Sequence, residues 1–447
     1  MSRPTLRFLG GVHEIGGNKI VIDDGAERIL FDFGPSFSPA YDDFYYKFLQ
    51  PRSTSPVKDL LEFDLLPRVE GLYSREALAG SDVPYVPPEF HAIFVSHAHA
   101  DHAAHLDLVD PDIPVYVSPG TKTLLEAIES SSGQRYGTHP WQLLTERRGV
   151  RIGDLEVVPF PVDHSIPSAQ GFLIRTSEGA VAYTGDFRMH GPRSADTLGF
   201  VEEASQDGPR ALIIEGTRAG PDPRRNLSEA GVQSGVEEVL RASAQVGIVS
   251  CYPRDIDRLT TLYQAARAAE REFVVSLRTA HVLTMLDQAK TLPGAPVPGR
   301  SEGLKVYVRS KKTYYRWERP FLDAAVDADY VRTQGPRVLL ALDLAHFAEL
   351  IDVRPPRGAP FIHSMSEPFS EVDVDDKVLH NWLDHFGLAF HQMHASGHCS
   401  GAELDDVIRR MGARAVFPVH TEHPEAFRSE TSEVIPPVLG TRHALPL

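Results

Sequence analysis

Four histidines and one aspartate fall in the run VSHAHADHAAH, Val95 to His105, directly after the apolar stretch HAIF. A strand ending at Ser96 would deliver His97, His99, Asp101 and His102 into one loop. Alternate residues there can converge from one side while the next pair turns toward a second point, so two neighbouring metal ions are expected. Imidazole and carboxylate suit zinc or manganese. A pair of such ions generates a nucleophile from water near neutral pH and holds a phosphoryl oxygen, which points to hydrolysis of a phosphodiester. A polar surface turn is the bland alternative, but the H-x-H-x-D-H order is far harder to obtain by chance than a lone histidine. The only cysteines, Cys251 and Cys399, lie far apart, which argues against both a disulfide framework and a thiolate zinc site. The ligands must come from His, Asp and Glu.

These residues need a scaffold, and 447 residues are enough for two domains of moderate size. Short strands broken by turns run through TLRFLG, NKIVID and RILFDFG, with Gly10, Gly11, Gly16 and Gly17 in the first connection. In that connection His13 and Glu14 either hold substrate or order the loop. Residues 36 to 90 carry prolines and the aromatic patch YDDFYYKFL, and read as a lid or an irregular insertion. The strand pattern resumes from HAIFVS through ALIIEG. The middle then changes to helical spacing in GVQSGVEEVLRASAQ, DIDRLTTLYQAARAAERE and TAHVLTMLDQAKTL, separated by VGIVSC and EFVVSL. That alternation implies an α/β domain with a parallel sheet. Strand and turn return with AFHQMHASGHCSGAEL. Histidines of ligand type therefore flank the α/β segment, and an inserted domain is expected at 208–389, between a first part at 1–207 and a return segment at 390–447.

Net charge is 45 minus 61, or −16, which argues against a protein that coats nucleic acid without selectivity. A nuclease needs only a local positive track. The segment KVYVRSKKTYYRWER, residues 305–319, interleaves basic residues with Tyr307, Tyr314, Tyr315 and Trp317. It reads either as such a track, with bases stacked on the rings, or as a solvated basic face. No apolar run approaches the roughly 20 residues of a membrane span, and the N-terminus lacks the core of a secretory signal, so a cytoplasmic protein is expected.

His97-x-His99-x-Asp101-His102 resembles the signature of the metallo-β-lactamase superfamily, and later motifs extend the likeness over nearly the whole chain. VDHSIPSA places His164, AYTGDFR places Asp186, and ILFDFG places Asp32, which matches the acidic residue that buttresses the ligand loop. IIEGT, ASGH and FPVHTE place Glu215, His398 and His420, resembling the extra motifs of the β-CASP nucleases. LGGVHEIGGN, HASGHCS and PVHTEHPEAF are similar to the ribonuclease J group, especially its short archaeal-type members, and with the chain stopping 27 residues after His420 a form without the separate C-terminal domain of bacterial members is expected.

The resemblance implies an αββα metallo-β-lactamase sandwich with an inserted α/β β-CASP domain. It implies two divalent ions, zinc or manganese. One would be held by His97, His99 and His164, the other by Asp101, His102 and His420, with Asp186 bridging. Asp101, Glu215 and His398 would be the catalytic groups, His398 protonating the departing 3′ oxygen while Glu215 orients it. His394 and Ser396 could contact a phosphate; Ser364 and Ser366 would contribute to a pocket for a terminal 5′ phosphate or act as local turn caps, and Arg258 and Arg278 read either as bidentate phosphate clamps or as partners in helix salt bridges. Cys399 is read as a packed residue, and His105 and Asp107 as neighbours of the ligands.

The expected activity is a metal-dependent ribonuclease on single-stranded RNA, working from the 5′ end and also internally, in a cytoplasmic homodimer. Histidine at position 420 favours RNA, since the DNA-directed branch of the family carries valine there. A DNA nuclease of repair, a small ester or lactam hydrolase, and a non-enzymatic RNA-binding scaffold are the rival readings.

Overall fold

A computed structural model describes residues 3–37, 41, 43–45, 48–222, 227–367 and 373–445. Two seven-stranded sheets and one six-stranded sheet organise the chain. The first sheet runs, in spatial order, Arg442–Ala444, Thr5–Phe8, Ile20–Asp24, Glu27–Phe31, Ala92–Phe94, Val115–Val117 and Trp141–Leu143. The second runs Glu433–Val434, Ala415–Val419, Ala211–Glu215, Gly179–Tyr183, Gln170–Thr176, Leu155–Pro161 and Val150–Ile152.

Alternation of side chains lets the central strands of these sheets bury both faces, while edge strands such as Trp141–Leu143 and Val150–Ile152 stay partly exposed. In Ala211–Glu215, Ala211 and Ile213 join Phe31, Phe94, Phe172 and Phe417 between the sheets, while Leu212 and Ile214 face outward. There they meet Phe200 and Ala204 of the helix Ser194–Gln206 and Leu404 and Ile408 of the helix Gly401–Met411. On the far side, Val21, Leu30 and Ile93 pack under Leu124 and Ile128 of the helix Pro119–Ser132. The layers are thus helix, sheet, sheet, helix, as the resemblance implied.

The described part of residues 36–90 is an irregular cover with one short helix, Pro56–Leu61; its Val57, Leu60, Leu72 and Tyr73 are buried in the same outer cluster. Phe37, Tyr41 and Asp43 stand at the wall of the central cleft.

The third sheet, Leu304–Tyr307, Glu272–Ser276, Val338–Ala341, Gly247–Cys251, Pro360–Ser364 and Ala389–Gln392, is parallel throughout. The helices Glu229–Ala242, Ile256–Ala268 and Leu277–Gln288 cover one face and Val374–Phe386 the other. This is the inserted α/β part. Its expected limits move: Ala211–Glu215 is hydrogen-bonded into the second sheet, so the insertion begins beyond Glu215 rather than at 208. Ala389–Gln392 pairs with Pro360–Ser364, so the return begins beyond Gln392 rather than at 390. No described helix is long and apolar enough to cross a membrane.

Candidate metal centre and cleft

The strand Ala92–Phe94 runs out into His97, and the chain turns into a one-turn helix, Ala100–Ala103, whose N-cap is His99. Asp32, in left-handed backbone at φ 58°, holds this turn in place. Its Oδ1 accepts from the Ser96 amide at 2.7 Å, and its Oδ2 accepts from Tyr183 Oη at 2.6 Å, Ser96 Oγ at 2.9 Å and His102 Nδ1 at 2.9 Å. His102 Nδ1 thereby donates to Asp32, which turns Nε2 toward Asp101 and Asp186 at 3.3 and 3.2 Å. His164 Nδ1 donates to the Gly397 carbonyl at 2.6 Å, which frees its Nε2. His420, also left-handed at φ 52°, closes the strand Ala415–Val419 and pairs through Nδ1 with Thr217 Oγ1 at 2.9 Å.

Two groups of ligand atoms result, each lying within 4.8 Å of one another: His97, His99, His164 and Asp186 in one, and Asp101, His102, Asp186 and His420 in the other. Asp186 belongs to both. Its Oδ2 lies 3.8 Å from His97 Nε2, 3.9 Å from His164 Nε2, 3.2 Å from His102 Nε2 and 3.4 Å from His420 Nε2.

The donor set fits divalent metal. His97 Nε2 faces His99 Nδ1 at 3.0 Å, and His99 Nδ1 faces His164 Nε2 at 3.1 Å, an arrangement of lone pairs that a cation satisfies. Buried His102 Nε2 and Asp186 Oδ1 have no hydrogen-bond partner, a condition native interiors rarely tolerate. Burial, reinforced by neighbouring imidazoles, holds His97 and His164 well below the usual histidine range, and burial brings His99 down to about 4. All three are neutral at pH 7, the form in which imidazole can hold a metal. Burial would do the same to His420, but Asp186 and Asp101 outweigh it and raise its pKa to about 9. Those carboxylates call for positive charge here.

Glu215, at the end of its strand, is fully buried and accepts from the Thr217 amide at 2.8 Å. Its Oε1 is 3.2 Å from His398 Nδ1, and that nitrogen lies 4.0 Å from Asp186 Oδ2. His398, 21% exposed at its side chain, lies on the wall of a cleft of about 1,990 Å³ bounded by both the sandwich and the insertion.

The other candidates divide. His394, Ser396, Ser366 and Arg278 line the cleft. Burial and Arg258 bring His394 down to about 3; with Nδ1 accepting from Arg258 at 3.2 Å, its neutral ring keeps Nε2–H as a donor. Arg258 and Ser364 do not face the cleft. Arg258 is fully buried, bonded to Glu229 at 2.8 and 3.0 Å and to the Ser364 and Ala395 carbonyls, each at 2.9 Å. Ser364 Oγ donates to the Met393 carbonyl at 2.6 Å. Both brace the loop that carries His394, because their polar atoms are already satisfied inside the protein.

Arg254 was not foreseen. It lines the cleft, has no carboxylate partner among the described residues, and has its pKa lowered by burial and by neighbouring Arg278. The available signal was its place just past Cys251, at the carboxyl end of a parallel strand, where open α/β sheets hold ligands. His105, buried and brought down to about 3 by burial and Lys19, stacks edge-on to Phe33. Buried Cys399 packs in the outer core of the second sheet.

Residues 69–254 match the β-lactamase superfamily domain, which with this fold and ligand set defines the class: the chain belongs to the metallo-β-lactamase superfamily. Residues 388–431 match the RNA specificity domain of zinc-dependent metallo-hydrolases, and the inserted α/β sheet lies between the ligand-bearing parts. Within the superfamily it is a β-CASP protein of the ribonuclease J-like family. It is 27% identical over 351 residues to ribonuclease J of Sinorhizobium meliloti, covering 74% of this chain and 57% of that one. Ribonuclease J of Thermus thermophilus is 26% identical over 434 residues, 93% of this chain and 67% of the relative. The chain thus spans little more than half the length of the first of these. A crystal structure of a protein of unknown function from Enterococcus faecalis V583 superposes with a TM-score of 0.80 at 24% identity, over 99% of this chain and all of the other, and shares the fold.

Proposed function

We propose that this chain is a ribonuclease that hydrolyses phosphodiester bonds of single-stranded RNA with two divalent ions, zinc or manganese. The observation that carries the reading is the sharing of Asp186 Oδ2 by both ligand groups, with the His398–Glu215 pair beside it on the cleft wall. His97, His99 and His164 would hold one ion, Asp101, His102 and His420 the other, and Asp186 both. Ions bound there supply Lewis acidity toward the phosphoryl oxygen and a water activated near neutral pH.

The chain's own groups do the rest. Glu215 accepts from His398 Nδ1 and fixes the ring, so that Nε2–H of the imidazolium can be given to the departing 3′ oxygen. His394 Nε2–H, Ser396 and Ser366 offer neutral donors to phosphate oxygens, while Arg254 and Arg278 offer positive charge in the same cleft. Attack proceeds from the 5′ end, with internal cleavage as a second mode. RNA is favoured over DNA by the RNA-specificity match at 388–431 and by His420.

The test is a time course on 5′-labelled single-stranded RNA and matched DNA, each with a 5′ monophosphate or triphosphate, with manganese or zinc added. Labelled mononucleotide from monophosphorylated RNA alone is the expected result. Internal fragments whatever the 5′ group would leave an endonuclease, equal cleavage of DNA would move the reading to repair, and cleavage of neither would sink it.

A further inference from the structure

A second cavity, of about 120 Å³, opens beyond the carboxyl ends of the inserted sheet, against Cys251, Ser276, Tyr307 and Ala341. These residues end, in order, the strands Gly247–Cys251, Glu272–Ser276, Leu304–Tyr307 and Val338–Ala341. From Ser276 the chain leaves toward Leu304–Tyr307, and from Ala341 it leaves the opposite way, toward Pro360–Ser364. Such a reversal opens a crevice between two neighbouring strands, the place where open α/β sheets take ligands. Ser131, Pro253 and Arg278 line both this cavity and the catalytic cleft, so the two share a wall.

Part of the lining comes from the basic and aromatic segment 305–319, which the catalytic cleft leaves unused. Tyr315 is 68% exposed, which folding alone does not call for. Its ring is stacked with that of Trp317, 6° from parallel with centroids 6.5 Å apart, and both residues line the cavity. Lys311 is neutralised by Glu318 at 2.5 Å and lies over the Tyr315 ring at 4.8 Å. Arg309 has no carboxylate partner among the described residues, and Arg278 is bonded only to the Ser131 carbonyl, at 3.3 Å. Asp343 uses one oxygen on His346 Nδ1 at 2.6 Å, leaving the other for a donor. A bare polyanion suits this lining poorly, since carboxylates stand in it. A flat ring with N–H groups on its edge and a phosphate attached suits all of it.

We propose that this side cavity is a nucleotide subsite, taking an aromatic base against Tyr315 and Trp317, the base edge at Asp343, and the attached phosphate at Arg309 and Arg278. That the nucleotide belongs to a bound RNA strand rests on the ribonuclease reading; a free nucleoside monophosphate has the same chemistry.

Tyr315→Ala and Arg309→Ala sit on exposed surface, and circular dichroism checks that both variants fold as wild type does. Without added metal, fluorescence anisotropy measures binding of labelled oligoribonucleotides from a dinucleotide to about 20 nucleotides, and calorimetry measures binding of AMP and UMP. Each variant is expected to bind the longest oligomers about tenfold more weakly than wild type while the dinucleotide is unaffected, the size expected for one lost stacking or phosphate contact. A comparable loss for AMP or UMP, with no dependence on oligomer length, would assign the subsite to free nucleotide. Equal affinities of wild type and both variants for every probe would overturn the proposal. Failure of the ribonuclease reading has a different signature: wild type cleaving no RNA with manganese or zinc, whatever the binding results.

Discussion

Asp186 is the residue on which the centre turns, because one carboxylate oxygen faces ligands of both groups. Asp186→Ala is expected to lower metal content from about two ions per chain, read by mass spectrometry, together with all RNA cleavage; a variant that kept both ions would contradict the bridging role. His398→Ala separates chemistry from binding. It should retain metal and lose about 100- to 10,000-fold in rate, the range for a general acid. The cluster was legible because a metal would demand several imidazoles and carboxylates at short spacing, and the sequence carries them openly at His97, His99, Asp101 and His102. Arg258, Ser364 and Arg254 were not legible. Two arginines four residues apart differ in role only because one points under the sheet edge, onto Glu229, and the other into the cleft.

At the scale of elements, the ligand turn is wedged rather than merely connected. A Cβ at Gly34 would lie 2.3 Å from the Ala100 carbonyl oxygen and from the Asp101 carbonyl carbon, so only glycine admits the helix Ala100–Ala103 at this distance. Buried Lys19 ties the same corner by donating to the Gly17 and Gly34 carbonyls at 2.9 and 2.7 Å. Gly34→Ala should cost about 1–3 kcal/mol in thermal or urea unfolding, the range for overpacking, and displace Asp101 and His102 enough to weaken metal retention. Wild-type stability and metal content in that variant would show that the turn is free to move. The strands and helices themselves were readable from apolar periods of two and 3.6. Residues 36–90 were not, since their apolar residues follow neither period; among the described ones Val57, Leu60, Leu72 and Tyr73 pack into the cluster of Val21, Leu30 and Ile93, while Phe37 and Phe48 stay exposed.

At the scale of the whole molecule, an ionic cluster joins the sandwich to the insertion. Arg188, beside the ligand Asp186, reaches Asp163 at 2.8 Å, Glu229 at 3.1 Å and Asp257 at 3.3 Å, and Glu229 in turn holds Arg258. Burial would raise the pKa of Glu229, but Arg258 and Arg188 pull it down to about 2 from 4.5. Its contribution to stability is therefore complete above about pH 4.5 and is lost as pH falls through about 2. Glu229→Gln should lower stability at pH 7 by about 3–5 kcal/mol, as when one partner of a buried pair is removed. Denaturant titrations at several pH values should also show less acid dependence in that window than wild type; equal slopes would exclude Glu229 as the source. The sequence pattern pointed to an insertion within the sandwich, but its limits depended on non-local strand pairing, Ala211 with Ala415 and Pro360 with Ala389, which no local pattern records. That pairing carries one more consequence. The strand Ala415–Val419 slots beside Ala211–Glu215 and brings His420 with it, after His398 has already come from the far side of the insertion. A polypeptide still emerging from the ribosome has neither histidine to contribute until the whole insertion has been made. On the proposed activity, a nascent chain cannot cleave the message it is being translated from before that point.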